Sequence, residues 1–429
     1  MVALVKPGQS VCVGYSGGLD STVLLDVLHL LRAELDFTLS ALHVHHGLSP
    51  NADAWAVFCA KQCAALGVPL NVARITVAQG GGTGMEAAAR NARYGAYATL
   101  AADWVALAHH ADDNAETFFL RLLRGAGMRG LAAMRGVRPL NARTRIVRPF
   151  LHLYRNDLLR YAEAHKLEWI EDESNDNTGY DRNFLRREIL PRLAQRFPAY
   201  AQSVNRAAAH AAEAQVLLDE LAQLDMRGLE GEDVVPLALL RSLSAMRAKN
   251  VLRCFLADNG IDMPDSTLLD EAVRQVRECA EDAQIVIEFG EWQLRKHRDG
   301  VLLVRAQGDA TYPKVPWRGE ARLEFGAGVV TFEQTAGQGI RARLAAESGW
   351  VLRARTGGER MRPDAGRPTR TLKNLFQEAG TPAWERDRLP LLFHHERLVW
   401  APGIGIDCAY QCAPDEAGMV PRWKTVSAV

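Results

Sequence analysis

Residues 16–21 combine the residue types that bind a phosphate group. They are Ser16, Gly17, Gly18, Leu19, Asp20 and Ser21. An apolar segment typical of a strand precedes them, and an apolar pattern typical of a helix follows. A helix start offers unpaired backbone N–H groups and the positive end of the helix dipole, so the stretch predicts an anion site. The two glycines would allow close approach, and the two serines could donate hydrogen bonds. The alternative is an ordinary glycine turn in which Asp or Ser caps the helix.

Asp20 needs a separate explanation, because a carboxylate repels bound phosphates. A divalent cation between them removes the repulsion, and Mg²⁺ prefers oxygen ligands. We therefore interpret Asp20 as a magnesium ligand, either directly or through water.

A second polar cluster opens another predicted helix, and contains His109, His110, Asp112, Asp113 and Glu116. Helical i, i+4 spacing places His109 with Asp113 on one face and Asp112 with Glu116 on another. A dedicated zinc enzyme is disfavoured, since the chain has no H-E-x-x-H motif and acidic ligands near phosphates suit Mg²⁺. Asp113 is the expected second magnesium ligand. Alternatively, the acids only complement the helix dipole.

Elements that would position these clusters alternate along residues 1–190. Strands are predicted at 11–15, 39–44, 70–75 and 104–108, with helices at 21–35, 53–66, 85–102 and 113–124. This alternation predicts an α/β fold with a parallel sheet covered on both faces. Ligands of such sheets bind beyond the carboxyl ends of the strands, where all four polar clusters lie. We therefore expect the clusters to converge on one cleft.

The other two clusters follow the second and third strands. His43, His45 and His46 alternate across the strand, so at least one is expected to be buried and hydrogen-bonded rather than in the site. The third strand leads through a glycine stretch at 80–84 into a helix. There Arg90 either pairs with Glu86, a contact worth about 0.3–0.5 kcal/mol, or reaches the phosphates.

Composition limits the class of protein. The 429 residues carry no net charge, which argues against indiscriminate capture of nucleic acid. Seven cysteines without a C-x-x-C pair argue against a disulfide framework and a structural zinc site. No apolar run reaches the ~18 residues of a membrane span and no signal peptide is evident, so a cytoplasmic protein without membrane contact is expected.

Arginine is distributed unevenly. No acidic residue occurs from Thr117 to Asn156, and a second basic tract runs from Arg353 to Lys373. The arginines of the first tract are Arg121, Arg124, Arg129, Arg135, Arg138, Arg143, Arg145, Arg148 and Arg155. Such tracts suit bidentate phosphate contacts, but a GC-rich genome favours arginine equally.

The combined motifs resemble those of tRNA(Ile)-lysidine synthetase, in the PP-loop ATP pyrophosphatase superfamily. The matching segments are S-G-G-L-D-S at 16–21, H-V-H-H-G-L-S at 43–49, E-A-A-A-R-N-A-R-Y at 86–94, A-H-H-A-D-D-N-A-E-T at 108–117, R-G-A-G-M-R-G-L at 124–131, D-E-S-N at 172–175, R-N-F-L-R at 182–186, R-T-G-G-E-R-M-R-P at 355–363, L-K-N-L-F-Q-E at 372–378 and P-x-W-x-R at 382–386. The resemblance covers nearly the whole chain. No Walker A motif occurs, which fits cleavage of ATP between the α and β phosphates.

The resemblance implies a ligase that joins free L-lysine to C2 of the wobble cytidine of tRNA(Ile) with a CAU anticodon. ATP would adenylate the C2 carbonyl oxygen, and the lysine ε-amine would displace AMP. Residues 16–21 would hold pyrophosphate, Asp20 and Asp113 would bind Mg²⁺, and Arg90 and His110 would line the reaction centre. The Asp172 loop and the Arg182 motif would belong to the cleft wall, without assigned roles.

The resemblance also implies the domain organisation. The expected parts are an adenine-nucleotide-alpha-hydrolase-like PP-loop domain at 1–197, a helical connector at 198–225, a mostly helical tRNA-binding domain at 226–306, a linker with short strands at 307–349 and a small α+β tRNA-binding domain at 350–429. The two tRNA-binding domains would contact the anticodon stem and acceptor stem respectively. Binding of tRNA should then depend steeply on salt. The oligomeric state stays open, with a homodimer as one option.

Three other functions compete with this one. A tRNA thiolase would need a catalytic cysteine pair beside the cleft, and Cys12, Cys59 and Cys63 fall within predicted elements instead. An amidotransferase-coupled synthetase would need a glutaminase nucleophile motif, and none is evident. A non-catalytic RNA-binding protein would not need four intact strand-end clusters.

Overall fold

The computed structural model describes residues 4–47, 49–75, 85–173, 177–229, 233–280, 283–306 and 312–425, without the side chains of 85–87. The glycine stretch at 80–84 and residues 174–176 of the Asp172 loop lie outside these ranges, as does the Glu86 side chain. The chain divides into two compact units, Met1–Glu220 and Leu221–Val429. Within the described ranges, no helix is long and apolar enough to cross a membrane.

The first unit alternates strands and helices, as the sequence predicts. Its elements are β1 (Ser10–Gly14), α1 (Leu19–Leu31), β2 (Thr38–His45), α2 (Ala52–Ala65), β3 (Leu70–Arg74), α3 (Met85–Ala98), β4 (Trp104–Ala106), α4 (Ala111–Leu123), α5 (Met128–Leu131), β5 (Val137–Pro139), β6 (Arg145–Val147), α6 (Arg155–Ala164), α7 (Asp181–Phe184), a π-helical turn (Leu185–Ile189), α8 (Leu190–Arg196) and α9 (Tyr200–Asp225), whose last residues enter the second unit.

The six strands form one sheet in the order β3-β2-β1-β4-β6-β5. All neighbours are parallel except β5 and β6. Alternate residues of β1 enter two different apolar clusters, Val11 and Val13 on one face and Cys12 on the other. Because both faces of a central parallel strand are covered, β1 is apolar throughout rather than alternating. The predicted α/β fold with a covered parallel sheet is confirmed.

The middle part of the second unit contains three helices and a four-stranded antiparallel sheet. Its elements are β7 (Val234–Pro236), α10 (Leu237–Ser242), α11 (Ala245–Asp258), α12 (Ser266–Glu278), β8 (Val286–Phe289), β9 (Trp292–His297) and β10 (Gly300–Arg305), with the sheet order β7-β10-β9-β8. The sequence predicts one helix over 237–259. The structure has two instead, because Ser244 caps α11 by accepting from the backbone N–H of Arg247.

The remainder of the chain is richer in strands. Its elements are β11 (Val315–Pro316), β12 (Arg322–Phe325), β13 (Gly328–Ala336), β14 (Ile340–Arg341), α13 (Ala342–Ala345), β15 (Trp350–Arg353), β16 (Arg360–Met361), β17 (Arg370–Thr371), α14 (Leu372–Glu378), α15 (Ala383–Arg386), β18 (Leu391–His394), β19 (Arg397–Ala401), β20 (Gly405–Ile406) and β21 (Ala417–Thr425). β13 lies inside the predicted linker and pairs along its whole length with β21. The predicted linker therefore shares a sheet with the C-terminal residues.

Candidate active site

The turn between β1 and α1 presents an open helix N-terminus. Gly18 is the N-cap residue and supplies no capping side chain, so the first amides of α1 keep their capacity to bind an anion. Ser16 and Ser21 brace the turn internally: their hydroxyls lie 3.0 Å apart, and that of Ser21 also donates to the Gly18 carbonyl at 3.1 Å. The Leu19 side chain is buried in the core.

The two glycines of the turn differ in what they require. Gly17 has φ +86°, and a Cβ there would lie 2.6 Å from Cδ1 of Ile170 and 3.0 Å from Sγ of Cys59. The fold itself therefore needs glycine at this position. A Cβ on Gly18 would meet nothing closer than Ser16 Oγ at 3.5 Å. The fold leaves this space free, as an approaching ligand would need.

The second cluster begins α4 through a reciprocal cap. The His110 ring accepts from the backbone N–H of Asp113 at 3.4 Å, and Oδ2 of Asp113 accepts from the backbone N–H of His110 at 3.1 Å. Because β4 lies beside β1 in the sheet, this helix start comes next to the turn between β1 and α1. The expected convergence of these two strand ends is thus present.

His110 links the two predicted magnesium ligands. Its Nε2 lies 3.7 Å from Asp20 Oδ2 and 3.4 Å from Asp113 Oδ2, while its Nδ1 lies 3.5 Å from Asp112 Oδ2. Burial alone would lower the pKa of this nearly inaccessible ring, but hydrogen bonding of its N–H groups to the carboxylates of Asp112 and Asp20, together with the charges of Asp113 and Asp20, raises the pKa to about 10. A protonated Nδ1 cannot also accept from Asp113, so the cap and the Asp112 contact compete.

The carboxylates differ in how well they fit a metal ion. Oδ1 of Asp20 is buried and has no hydrogen-bond partner among the described residues, so it is an available oxygen ligand. Both oxygens of Asp113 already accept hydrogen bonds, from the His110 backbone and from Nη2 of Arg186 at 3.2 Å. Within the described part of the chain, no three His, Cys, Asp or Glu side chains form a metal site by themselves. The carboxylates of Asp20 and Asp113 are too few to form a metal site alone. They therefore fit a metal ion whose remaining ligands include phosphate oxygens.

Glu116 forms a buried ion pair that the sequence did not reveal. Nε of Arg186 donates to Oε1 at 2.6 Å and Nη2 to Oε2 at 2.9 Å, a bidentate contact. Arg182 Nε lies 3.4 Å from Oε2, and its Nη2 donates to Thr117 at 2.7 Å. Burial raises the pKa of Glu116 against the opposing effect of Arg186. In the sequence, the R-N-F-L-R motif at 182–186 drew attention to Arg182 and Arg186. It did not indicate that Glu116 is their partner.

Asp112 does not share a contact with Glu116, although helical spacing places both on one face. It accepts from the backbone N–H of Arg155 at 2.9 Å instead. The acid that acts together with Glu116 is Asp113, three residues earlier, because Arg186 contacts both.

Within the described ranges, Arg90 forms no hydrogen bond or ion pair with Asp20, His110 or Asp113. Its guanidinium carbon lies 5.2 Å from the ring centroid of Tyr94, whose hydroxyl accepts from Arg148 at 3.3 Å. Arg148 is buried and also donates from Nε to Nδ1 of His109 at 3.1 Å. Burial lowers the pKa of His109 to about 3, which matches a neutral ring that accepts at Nδ1.

The histidines after β2 have separate environments. His43 is buried, and its Nδ1 lies 3.0 Å from the Tyr15 carbonyl and 3.4 Å from Cys59 Sγ, so the expectation of a buried, hydrogen-bonded histidine is met. His45 contacts Asp53 at 3.2 Å. Burial, with the charge of Arg93, lowers the pKa of His46 to about 4.

The cysteines near the turn are not activated. Burial raises the pKa of Cys12 and Cys63 to about 11 and that of Cys59 to about 12. A nucleophilic thiolate requires the opposite shift. This observation disfavours sulfur chemistry at these three positions.

The first arginine tract is partly structural. Arg121 donates to the carbonyls of Gly130 and Ala133, and Arg148 is buried, so neither is a surface charge. Arg124 pairs with Asp181 at 3.2 Å and Arg129 with Asp219 at 3.3 Å. The tract is therefore less basic at the surface than its sequence suggests.

The fold and the turn define a class of protein. A central parallel strand leads through a glycine turn into an uncapped helix, next to an acidic helix start, as in nucleotide-binding domains. The family model described as the PP-loop domain matches residues 2–193. Models described as the TilS substrate binding domain and the TilS substrate C-terminal domain match residues 236–302 and 351–423.

Similar proteins extend this match to nearly the whole chain. The tRNA(Ile)-lysidine synthase of Nitrosomonas europaea is 42% identical over 98% of this chain and 93% of its own length. Those of Aromatoleum aromaticum and Azoarcus sp. are 43% identical over 99% of this chain, and over 99% and 94% of their own lengths. The chain belongs to the tRNA(Ile)-lysidine synthase family, a family of ligases. The resemblance identified from the motifs is confirmed.

Proposed function

We propose that the protein joins free L-lysine to C2 of the wobble cytidine in tRNA(Ile) with a CAU anticodon. The observation that carries the proposal is the meeting of the open N-terminus of α1 with the Asp20–His110–Asp113 cluster at one edge of the sheet. An anion bound at this helix start would lie beside acidic side chains, which supports the proposal for a chain of this family. Because the reaction uses ATP and tRNA, the cytoplasm is the proposed location of the protein.

The first step is adenylation. The C2 carbonyl oxygen of cytidine bonds to the α-phosphorus of ATP, and the bond to the β-phosphate breaks, releasing pyrophosphate. The amides at the start of α1 bind the phosphates, and Gly18 leaves room for their approach. Asp20 and Asp113 would hold Mg²⁺, which offsets phosphate charge when bound.

The second step forms the carbon–nitrogen bond. The ε-amine of lysine bonds to C2, the bond from C2 to the adenylated oxygen breaks, and AMP leaves with that oxygen. The amine must be neutral to attack, so a proton leaves it before or during the step. His110 lies at the centre of the cluster, where its ring contacts Asp20, Asp112 and Asp113. Arg90 is proposed to line the site from the Tyr94 side.

The two substrate modules, residues 236–302 and 351–423, are proposed to bind the anticodon stem and acceptor stem of the tRNA. Their role explains why a chain with no net charge carries a basic tract from Arg353 to Lys373, because recognition of one RNA shape needs positive charges at particular positions.

The experiment that tests the proposal combines the protein with ATP, labelled lysine and unmodified tRNA(Ile). We expect AMP, pyrophosphate and labelled RNA in equal amounts. A matched tRNA with uridine at the wobble position should remain unlabelled. ATP turnover without lysine incorporation, or incorporation of sulfur from a sulfur donor, would contradict the proposal.

A further inference from the structure

A contact between the two substrate modules centres on Trp384, in the P-x-W-x-R motif. This half-buried residue belongs to α15, in the module at 351–423. Its ring meets two residues of β9 from the module at 236–302: Arg295, whose guanidinium carbon is 5.2 Å from the ring centroid, and His297, at a ring separation of 5.7 Å and an angle of 76°. An aromatic face below a guanidinium is a cation–π contact, worth about 0.5–2 kcal/mol.

A second contact lies at the turn between β9 and β10. Gly380, which follows α14, has φ +71°, and a Cβ there would fall 1.4 Å from Nη2 of Arg298. The Arg298 guanidinium therefore occupies the space that a side chain at 380 would fill. We call Arg295, Arg298, Trp384 and Arg386 together the seam.

The seam concentrates positive charge from both modules. Burial, the charge of Arg298 and the charge of Arg386 all lower the pKa of His297, which places these arginines close to its ring. Arg295 likewise has a lowered pKa, through burial and the charge of Arg388.

Two cations of the seam, Arg295 and Arg386, are bonded to neutral groups. Burial and the charge of Arg355 lower the pKa of Arg386, and the charge of Asp387 opposes this effect. Arg295 is bonded to the neutral amide of Gln293 at 2.7 and 3.0 Å, and Arg386 to the Thr381 carbonyl at 2.7 and 2.9 Å. Asp387, next to Arg386, is bonded to Arg355 at 3.0 Å. Among the described residues, no carboxylate is bonded to Arg295, Arg298 or Arg386. Arginines held together in this way repel each other. An anion bound between them attracts each guanidinium and so offsets the repulsion.

We propose that the seam binds the phosphate backbone of the RNA substrate, and that Trp384 is the positioning residue that, through its contact with Arg295, keeps the two modules together at this site. The inference rests on the proposed function, because it takes tRNA as the ligand. Guanidinium groups match phosphate oxygens through paired N–H donors, and the exposed Arg298 is accessible to a large ligand. A phosphate bound by arginines of both modules would fix the position of each module on the same RNA molecule.

The first test measures how tRNA affinity depends on salt. Loss of one phosphate contact lowers the slope of log affinity against log salt by about 1, which is about threefold in affinity between 50 and 200 mM salt. We expect this change for Arg298→Gln. Arg305→Gln is the matched control, because Arg305 is on the same hairpin but is bonded to Glu291 at 2.7 and 2.9 Å. A wild-type slope for Arg298→Gln overturns the proposal.

The second test separates positioning from folding. Trp384→Ala should raise the KM for tRNA several-fold and lower the salt slope, with kcat at saturating tRNA and the KM for ATP unchanged. Trp384→Phe, which keeps an aromatic face, should recover part of the loss. A lower Tm with an unchanged slope and KM for tRNA would make Trp384 merely structural and overturn its role. If the wild-type protein forms no lysidine at saturating tRNA, the proposed function fails, whatever the variants do.

Discussion

The Nε2 atom of His110 lies 3.7 Å from Oδ2 of Asp20, so the imidazole at the start of α4 contacts a residue of the first turn of α1. The raised pKa of His110 keeps this imidazole charged at neutral pH. The sequence predicts a metal between Asp20 and Asp113, whereas the structure has the His110 ring beside both carboxylates. An imidazolium and a metal ion would compete for the same oxygens. The unpartnered Oδ1 of Asp20 gives the metal an oxygen that His110 does not use.

Asp20→Asn should abolish most adenylation while leaving the fold intact. The neutral amide removes the charge that would bind Mg²⁺, and we expect kcat/KM to fall on the order of 100-fold. The measurement is pyrophosphate release across a range of Mg²⁺ concentrations, where the variant should need more Mg²⁺. Asp112→Asn is the control, since Asp112 contacts the same ring but also bonds the Arg155 backbone. Full activity of Asp20→Asn would rule out the magnesium assignment.

Gly18→Ala should separate ligand binding from folding. The added Cβ meets only ordinary contacts at φ −72°, so we expect a stability loss of at most about 1 kcal/mol. It would fill the space of an approaching phosphate, so the KM for ATP should rise at least about tenfold. Gly17→Ala should instead lower Tm, because its Cβ would clash with Ile170 at φ +86°. An unchanged KM for ATP in Gly18→Ala would place the phosphates elsewhere.

The sequence allowed prediction of the parts of the site that follow from strand order. Asp20 and His110 come together because β1 and β4 are adjacent parallel strands, and both residues follow strand ends. Arg186 could not be paired with Glu116 in this way. The two residues lie 70 positions apart, and Arg186 sits in a π-helical turn that the regular helical period does not describe. Local periodicity likewise could not indicate that Asp112 accepts from the Arg155 backbone, because that contact depends on tertiary packing.

Arg186→Ala should strongly destabilise the first unit. It leaves Glu116 buried without its bidentate partner, a change that costs about 3–5 kcal/mol. Urea unfolding measures the loss, and Glu116→Gln in the Arg186→Ala background should restore part of it by removing a buried charge that is left with Arg182 alone. Arg192→Ala is a suitable control, because Arg192 is exposed and 3.9 Å from Glu188. Equal stability of Arg186→Ala and the wild type would show that the pair does not stabilise the fold.

Arg360→Ala and Arg129→Ala should both reduce the salt dependence of tRNA binding, but to different extents. Arg360 is exposed, and among the residues that the structure describes its Nη2 is bonded only to the Thr369 carbonyl, at 3.4 Å, so we expect a slope change of about 1. Arg129 is paired with Asp219, which offsets its charge before tRNA binds, so its change should be smaller. Affinities measured between 50 and 200 mM salt test both. Unchanged slopes would exclude both basic tracts from the RNA interface.

His109→Asn should make the protein less sensitive to acid. The folded-state pKa of His109 is lowered to about 3 by burial, whereas the unfolded chain titrates near 6.5. Below about pH 6.5 the unfolded chain therefore takes up a proton that the folded chain does not, and the free energy of unfolding falls as the pH falls. Asn keeps an acceptor for Arg148 but does not titrate, which should remove up to about 2 kcal/mol of the loss between pH 7 and pH 5. Urea unfolding at both pH values measures this difference. His152→Asn, at an exposed position, should behave like the wild type. Parallel losses in His109→Asn and the wild type would show that His109 can accept its proton without unfolding.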